Sequence, residues 1–179
     1  MRRTILLLML VAAMSCLALG QTNVKGIGYI QNSNSSAGAQ CLRENLSVKE
    51  GDTDAAMGGV RVTTYTFTNK SSSPCTLNGY PGVSAYRGAS QVGPPATRNG
   101  GSHRTVTLTP GATAHAILRV TDWGAVCSTE VVADGLKVFP PGQTRSEPVP
   151  FSFGACAHRG VLSVGPVRAG VGIPGYTTS

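Results

Sequence analysis

Residues 60–86 read VRVTTYTFTNKSSSPCTLNGYPGVSAY, and the texture of this stretch changes twice. Val60–Thr68 is built of β-branched and aromatic side chains with no helical stripe, a composition that suits a pleated, half-buried strand. Asn69–Pro74 is a hydrophilic loop, Cys75 opens a further strand, and Tyr80-Pro81-Gly82 leads into Val83–Tyr86. Proline presets φ at about −65° and glycine accepts positive φ. Tyr80-Pro81-Gly82-Val83, Thr109-Pro110-Gly111-Ala112 and Pro140-Pro141-Gly142-Gln143 therefore each read as a type II turn. A cysteine beside such a turn reads as a stapled corner.

The same period of two continues outward. Ala112, Ala114, Ala116, Leu118 and Val120 alternate with Thr113, His115, Ile117 and Arg119. This predicts a strand covered on one face, its other face polar except at Ile117. Further strands are expected at Leu46–Val48, Thr105–Leu108, Ala114–Thr121, Leu136–Phe139, Pro150–Phe153 and Val161–Val167. No stretch of helical length carries apolar positions at i, i+3, i+4 and i+7 between caps. About seven to eight short strands with regularly spaced turns predict an all-β sandwich of two antiparallel sheets.

The termini read differently. Arg2 and Arg3 precede the apolar run Ile5–Ala13, and Ala18-Leu19-Gly20 offers small side chains before a cleavage point. Residues 1–20 are expected to be a signal peptide, its apolar run too short to span a bilayer. An alternative start is an acylated Cys16, since Ala13-Met14-Ser15-Cys16 faintly resembles a lipobox. Residues 21–40, rich in Ser, Asn and Gly, read as a flexible leader, 41–168 as the sandwich domain, and 169–179 as a loosely held tail.

The whole chain carries 15 Lys and Arg against 8 Asp and Glu. Loss of the two signal arginines leaves 13 against 8, a net charge of +5. These charges are scattered rather than gathered on one helix, so the sequence shows no nucleic-acid footprint. Mild positive charge suits solubility and attraction to anionic envelope polymers.

Four cysteines remain after the signal: Cys41, Cys75, Cys127 and Cys156. An even number without a C-x-x-C pair in an exported chain implies disulfides, and four cysteines allow three pairings. The sequential one, Cys41–Cys75 and Cys127–Cys156, is expected because it keeps each bridge within one half of the chain. Its separations of 34 and 29 residues correspond to about 3.5 kcal/mol of loop entropy each.

Sites of chemistry are sparse. His103, His115 and His158 form no H-x-H or H-E-x-x-H pattern, so no metal site or cofactor is expected. Asp52 and Asp54 lack the further oxygen ligands of a calcium loop and read as a polar turn. No G-x-S-x-G occurs. Trp123 beside Asp122 reads as a cap on the core before it reads as a ligand platform. The long segment Arg87–Arg104, RGASQVGPPATRNGGSHR, stands out as a candidate binding loop, with Arg87, Arg98 and Arg104 favouring an acidic partner.

Cys41-Leu42, FTNKSSSPCTLNGYPGVSAY (Phe67–Tyr86), VTLTPGATAHAIL (Val106–Leu118), Cys127, LKVFPPG (Leu136–Gly142) and Cys156 with Leu162–Val167 occur in this order. In these features the chain resembles domain-of-unknown-function family 4232, found in exported bacterial proteins and often in lipoproteins. The resemblance spans residues 41–168 and implies an immunoglobulin-like β-sandwich with two disulfides; it brings no catalytic residues. The expected function is therefore an exported, secreted or periplasmic domain that binds through loops without turnover. The alternatives are a hydrolase whose triad assembles from distant residues, drawing on His115 or His158, and a purely structural envelope protein.

Overall fold

The Val60–Thr68 run becomes a central strand because both its edges find partners. In the computed structural model, which describes residues 38–56 and 58–173, the strands are β1 (Leu46–Ala56), β2 (Val60–Asn69), β3 (Cys75–Leu77), β4 (Gly82–Arg87), β5 (Ser90–Val92), β6 (Thr97–Arg98), β7 (Val106–Leu108), β8 (Thr113–Thr121), β9 (Val131–Phe139), β10 (Glu147–Ala155), β11 (Leu162–Val164) and β12 (Arg168–Ala169). Two short 3-10 turns, Arg43–Asn45 and Trp123–Ala125, complete the regular elements. The described residues all belong to one compact unit, 34–179.

One sheet runs β1-β2-β8-β11-β6, with β12 also pairing β8; a second runs β10-β9-β4-β5; β3 and β7 form a two-stranded ribbon. Tyr65, Phe67, Ala114, Ala116 and Leu118 from the first sheet and Ala85, Ala133, Leu136, Val138 and Val149 from the second share one apolar core. The protein is thus all-β, built from several antiparallel sheets around two disulfides, Cys41–Cys75 and Cys127–Cys156.

Several expectations need correction. The strands number twelve among the described residues, because β5, β6 and β12 are only two or three residues long and too short to show a period. One pair departs from the antiparallel rule: β6 runs parallel to β11. The piece expected at Leu46–Val48 continues to Ala56, and Asp52 and Asp54 lie within the strand instead of a turn. A bulge lets it continue. Gly51 and Asp52 together face the single residue Thr64, whose hydroxyl donates to Asp52 O at 3.2 Å.

The Tyr80-Pro81-Gly82 corner is also made differently. Gly111 and Gly142 take the positive φ of a type II turn, at 78° and 72°, and Ala112 N and Gln143 N donate to Thr109 O and Pro140 O. At the third site the positive φ belongs to Gly79, at 95°, while Gly82 already pairs with Phe139 as the first residue of β4. A Cβ on Gly82 would lie 3.3 Å from Phe139 Cβ, so close strand approach, not turn geometry, calls for glycine there.

The polar face read for β8 is not solvated at His115, which is buried, as is Ile117. Its Nδ1 lies 3.0 Å from Gly170 O, and Gly172 packs so tightly on the imidazole that a Cβ would overlap it. Arg168 and Ala169 pair with His115 and Ala114, and Gly170 N donates to Thr113 O at 2.8 Å. The tail read as loose from residue 169 is therefore tied down at its beginning. At the other end, residues 38–40 of the expected leader run beside β3, with Thr76 N donating to Ala39 O and Cys41 N to Thr76 O, both at 2.9 Å. The expected signal segment 1–20, Cys16 and most of the expected leader lie outside the described residues.

Tyr65 is fully buried in the core, and its hydroxyl has no hydrogen-bond partner among the described residues. Burial pushes its phenol far above the ordinary value of 10.0; Glu50 acts in the same direction and Arg61 partly opposes. Above about pH 10 the unfolded chain releases this proton while the folded chain keeps it. Stability from this group is thus intact below that pH and falls by about 1.4 kcal/mol per pH unit above it. Comparing the pH dependence of urea midpoints between Tyr65→Phe and the parent isolates the effect. An unchanged alkaline slope in Tyr65→Phe would show that this phenol does not carry it.

Candidate functional site

The segment Arg87–Arg104 is not one free loop. Gly88, at φ 56°, turns β4 back into β5 as a tight hairpin. The chain then passes Gly93, where a Cβ would come within 2.7 Å of Cys156 O, so only glycine lets the two backbones approach. Ala96 N donates to Val83 O and Asn99 N to Val164 O, which seats β6 at the edge of the first sheet. Only then does the chain enter a glycine turn, with φ of 110° at Gly100 and 67° at Gly101.

The three expected arginines consequently divide. Arg87 sits at the far end of β4, roughly 17 Å of strand from Gly82 at about 3.3 Å per residue. Its Nε donates to Val132 O at 2.8 Å, and the adjoining Gly88 N donates to the Asp134 carboxylate at 3.0 Å. Arg98 and Arg104 belong instead to the surface around Tyr80.

Tyr80 organises that surface. Its hydroxyl donates to Gly101 O, which ties the glycine turn to the corner that follows β3. The Arg98 guanidinium lies 5.8 Å from the Tyr80 ring centre, and His103 meets the same ring edge-on at 5.6 Å. Asn78 Nδ2 donates to Thr105 Oγ1 at 2.6 Å, and Arg168 Nη2 on β12 donates to Ser102 O at 3.1 Å. Between β7 and β12 lies a groove of about 320 Å³ into which Arg104 and Arg168 both face. Neither Tyr80 as an organiser nor Arg168 as a neighbour was singled out from sequence. Arg168 follows the loop by more than sixty residues and is brought to it by the β12–β8 pairing and the bond from Val167 N to Gly79 O.

Charge is segregated around this surface. The eight acids stand at 44, 50, 52, 54, 122, 130, 134 and 147, so none falls in the segments 78–80, 98–108 or 166–169 that build it. Four of them are engaged away from this surface: Glu147 with Arg43, Asp122 with Gly124 N, Asp134 with Gly88 N, and Glu50 with the hydroxyls of Thr53 and Thr63. Neither Arg98 nor Arg104 has an acidic partner among the described residues.

The profile of the family described as Domain of unknown function (DUF4232) matches residues 41–168. The chain belongs to that family. No curated protein matches it. Across the DUF4232 match, the other singled-out residues lie apart from the Tyr80 surface. Trp123 is half-buried against the core and overlies Gly154, forming with Arg61, Asp122 and Phe153 a groove of about 260 Å³. Arg61 stacks 4.4 Å above Phe151. His158 is exposed beside Cys156, and His115 is held under the C-terminal segment. Among the described residues no three His, Cys, Asp or Glu side chains gather as metal donors, and no helix is long and apolar enough to cross a membrane. The two disulfides are consistent with an extracellular or periplasmic location.

Proposed function

We propose that this DUF4232 protein is an exported, non-catalytic domain that binds an acidic partner of the cell envelope or the extracellular space. The surface around Tyr80, Arg98, His103 and Arg104 makes the contact. The observation that carries this reading is the segregation of charge: Arg98 and the His103 ring flank one aromatic ring, Arg104 follows directly in the chain, and the segments that build this surface contain no acid. Arginine suits such a role because its planar fork binds oxyanions through charge-assisted hydrogen bonds. The export signal at 1–20, or an acylated Cys16, supplies the route outward.

Co-sedimentation with an envelope fraction tests the reading. Arg98→Ala combined with Arg104→Ala is expected to weaken binding about tenfold or more, most visibly at low salt. Arg87→Ala, which removes the same kind of charge from a different surface, is expected to leave binding near the parent level. Equal losses in both variants would indicate a response to net charge alone and overturn the assignment to this surface.

A further inference from the structure

Resting on that reading, the geometry points to phosphate oxyanions as the groups seated at this surface. Arg104 and Arg168 frame one seat, and Arg98 over Tyr80 offers the next. The first seat is the groove between β7 and β12, where Thr105 and Thr107 stand beside the two arginines and Val106 contributes apolar lining.

Size and donor arrangement select the ligand class. A volume of about 320 Å³ is at the lower end for ligand sites, about 300–1,000 Å³. It admits one oxyanion with the atoms attached to it, not the broad face of a folded partner. A carboxylate offers two coplanar oxygens and is matched by one guanidinium fork. A phosphate offers oxygens in several directions, which suits two arginines, one from the segment before β7 and one from β12, with hydroxyls beside them. Arg168 is positioned for this by its bond to Ser102 O.

The second seat lies across the glycine turn. Tyr80 holds Gly101 O, and Gly101 has open space where a side chain would stand. Successive phosphates along one chain, or phosphates of neighbouring headgroups, meet Arg98 after Arg104. Both an envelope phosphodiester polymer and an anionic phospholipid surface present this chemistry.

Calorimetric titration of the oxidised, purified protein separates the cases. The probes are polyphosphate, polyglutamate of matched charge, and phosphatidylglycerol vesicles with phosphatidylcholine vesicles as the blank. Polyphosphate or phosphatidylglycerol is expected to bind at least about tenfold more tightly than polyglutamate. Arg104→Lys keeps the charge but not the fork, and is expected to lose about tenfold for the phosphate probe with an unchanged melting curve. Binding to the soluble polymer assigns the phosphate to a polymer; binding only to the vesicles assigns it to lipid. If polyglutamate binds as well as the phosphate probes and Arg104→Lys behaves like the parent, phosphate selectivity is wrong while the acidic-partner reading stands. If no anionic probe binds, both fall.

Discussion

Replacing Cys41 and Cys75 together by alanine is expected to lower the unfolding free energy by about 3–5 kcal/mol. Two effects add at this bridge. Opening a 34-residue link returns freedom to the unfolded chain, worth about 3.5 kcal/mol in the chain-entropy account. Both sulfurs also sit in the core, Cys41 at 0% and Cys75 at 7% exposure, so their loss leaves unfilled space among apolar neighbours. The bridge further fixes a local array: Cys41 N donates to Thr76 O, Thr76 N to Ala39 O, and the turn at Arg43–Asn45 follows directly into β1. Freed from β3, the start of β1 loses its tether beside Asn69, which pairs with Leu46. The Cys127–Cys156 bridge differs, because Cys127 is part-exposed in the loop after Trp123. Its removal is expected to cost about 2–4 kcal/mol, nearer the loop term alone. Urea midpoints of the two double-alanine variants measure both values. A Cys41/Cys75 variant with a midpoint equal to the parent's would overturn this account. Against a typical total of about 5–15 kcal/mol, the first variant is expected to be only marginally folded.

The strands that announce themselves in the sequence are those whose side chains alternate over a full half-dozen residues. β2 and β8 do so, and with them the all-β class and the presence of two disulfides can be read directly. β5, β6 and β12 cannot, because two or three residues carry no period and their pairing depends on which distant strand arrives beside them. His115 looks solvent-facing for the same reason: alternation reports which face a residue occupies, not whether a later segment will cover that face. Gly172 does the covering, from fifty-seven positions downstream. At the candidate surface the stretch 87–104 is conspicuous by its length and its arginines. Its division into two places follows from hydrogen bonds to Val83, Val132 and Val164 that no local pattern records. Tyr80 is visible as an aromatic residue beside a proline; its role as hub arises only when Arg98, Gly101 and His103 close around it.

The loop that leaves β2 holds the second large effect. Asn69 is expected to tolerate almost no substitution, and Asn69→Asp is expected to cost about 3–5 kcal/mol near neutral pH, although it changes a single atom. Its side chain is completely buried and fully used. Nδ2 donates to Ser73 O at 2.8 Å and to Leu108 O at 3.0 Å, while Oδ1 accepts from Ser71 N at 2.9 Å and Ser71 Oγ at 2.8 Å. The amide thereby replaces a strand partner for the polar run Ser71–Pro74 and delivers Cys75 into register with Leu108. Aspartate keeps the acceptor side but turns an oxygen toward two carbonyls that need a donor, and adds a charge where water does not reach. Those carbonyls and desolvation hold the new carboxyl above its usual range, so the folded variant binds a proton more tightly than the unfolded chain. By linkage, the deficit is largest at neutral pH and shrinks as the pH falls toward about 4, where a protonated carboxyl donates to one of the two carbonyls. Urea titrations of the variant and the parent between pH 4 and 7 measure this narrowing gap. A deficit that stays constant across that range would show that the cost does not come from a buried charge, and a deficit below about 1 kcal/mol throughout would remove Asn69 as the organiser of the loop.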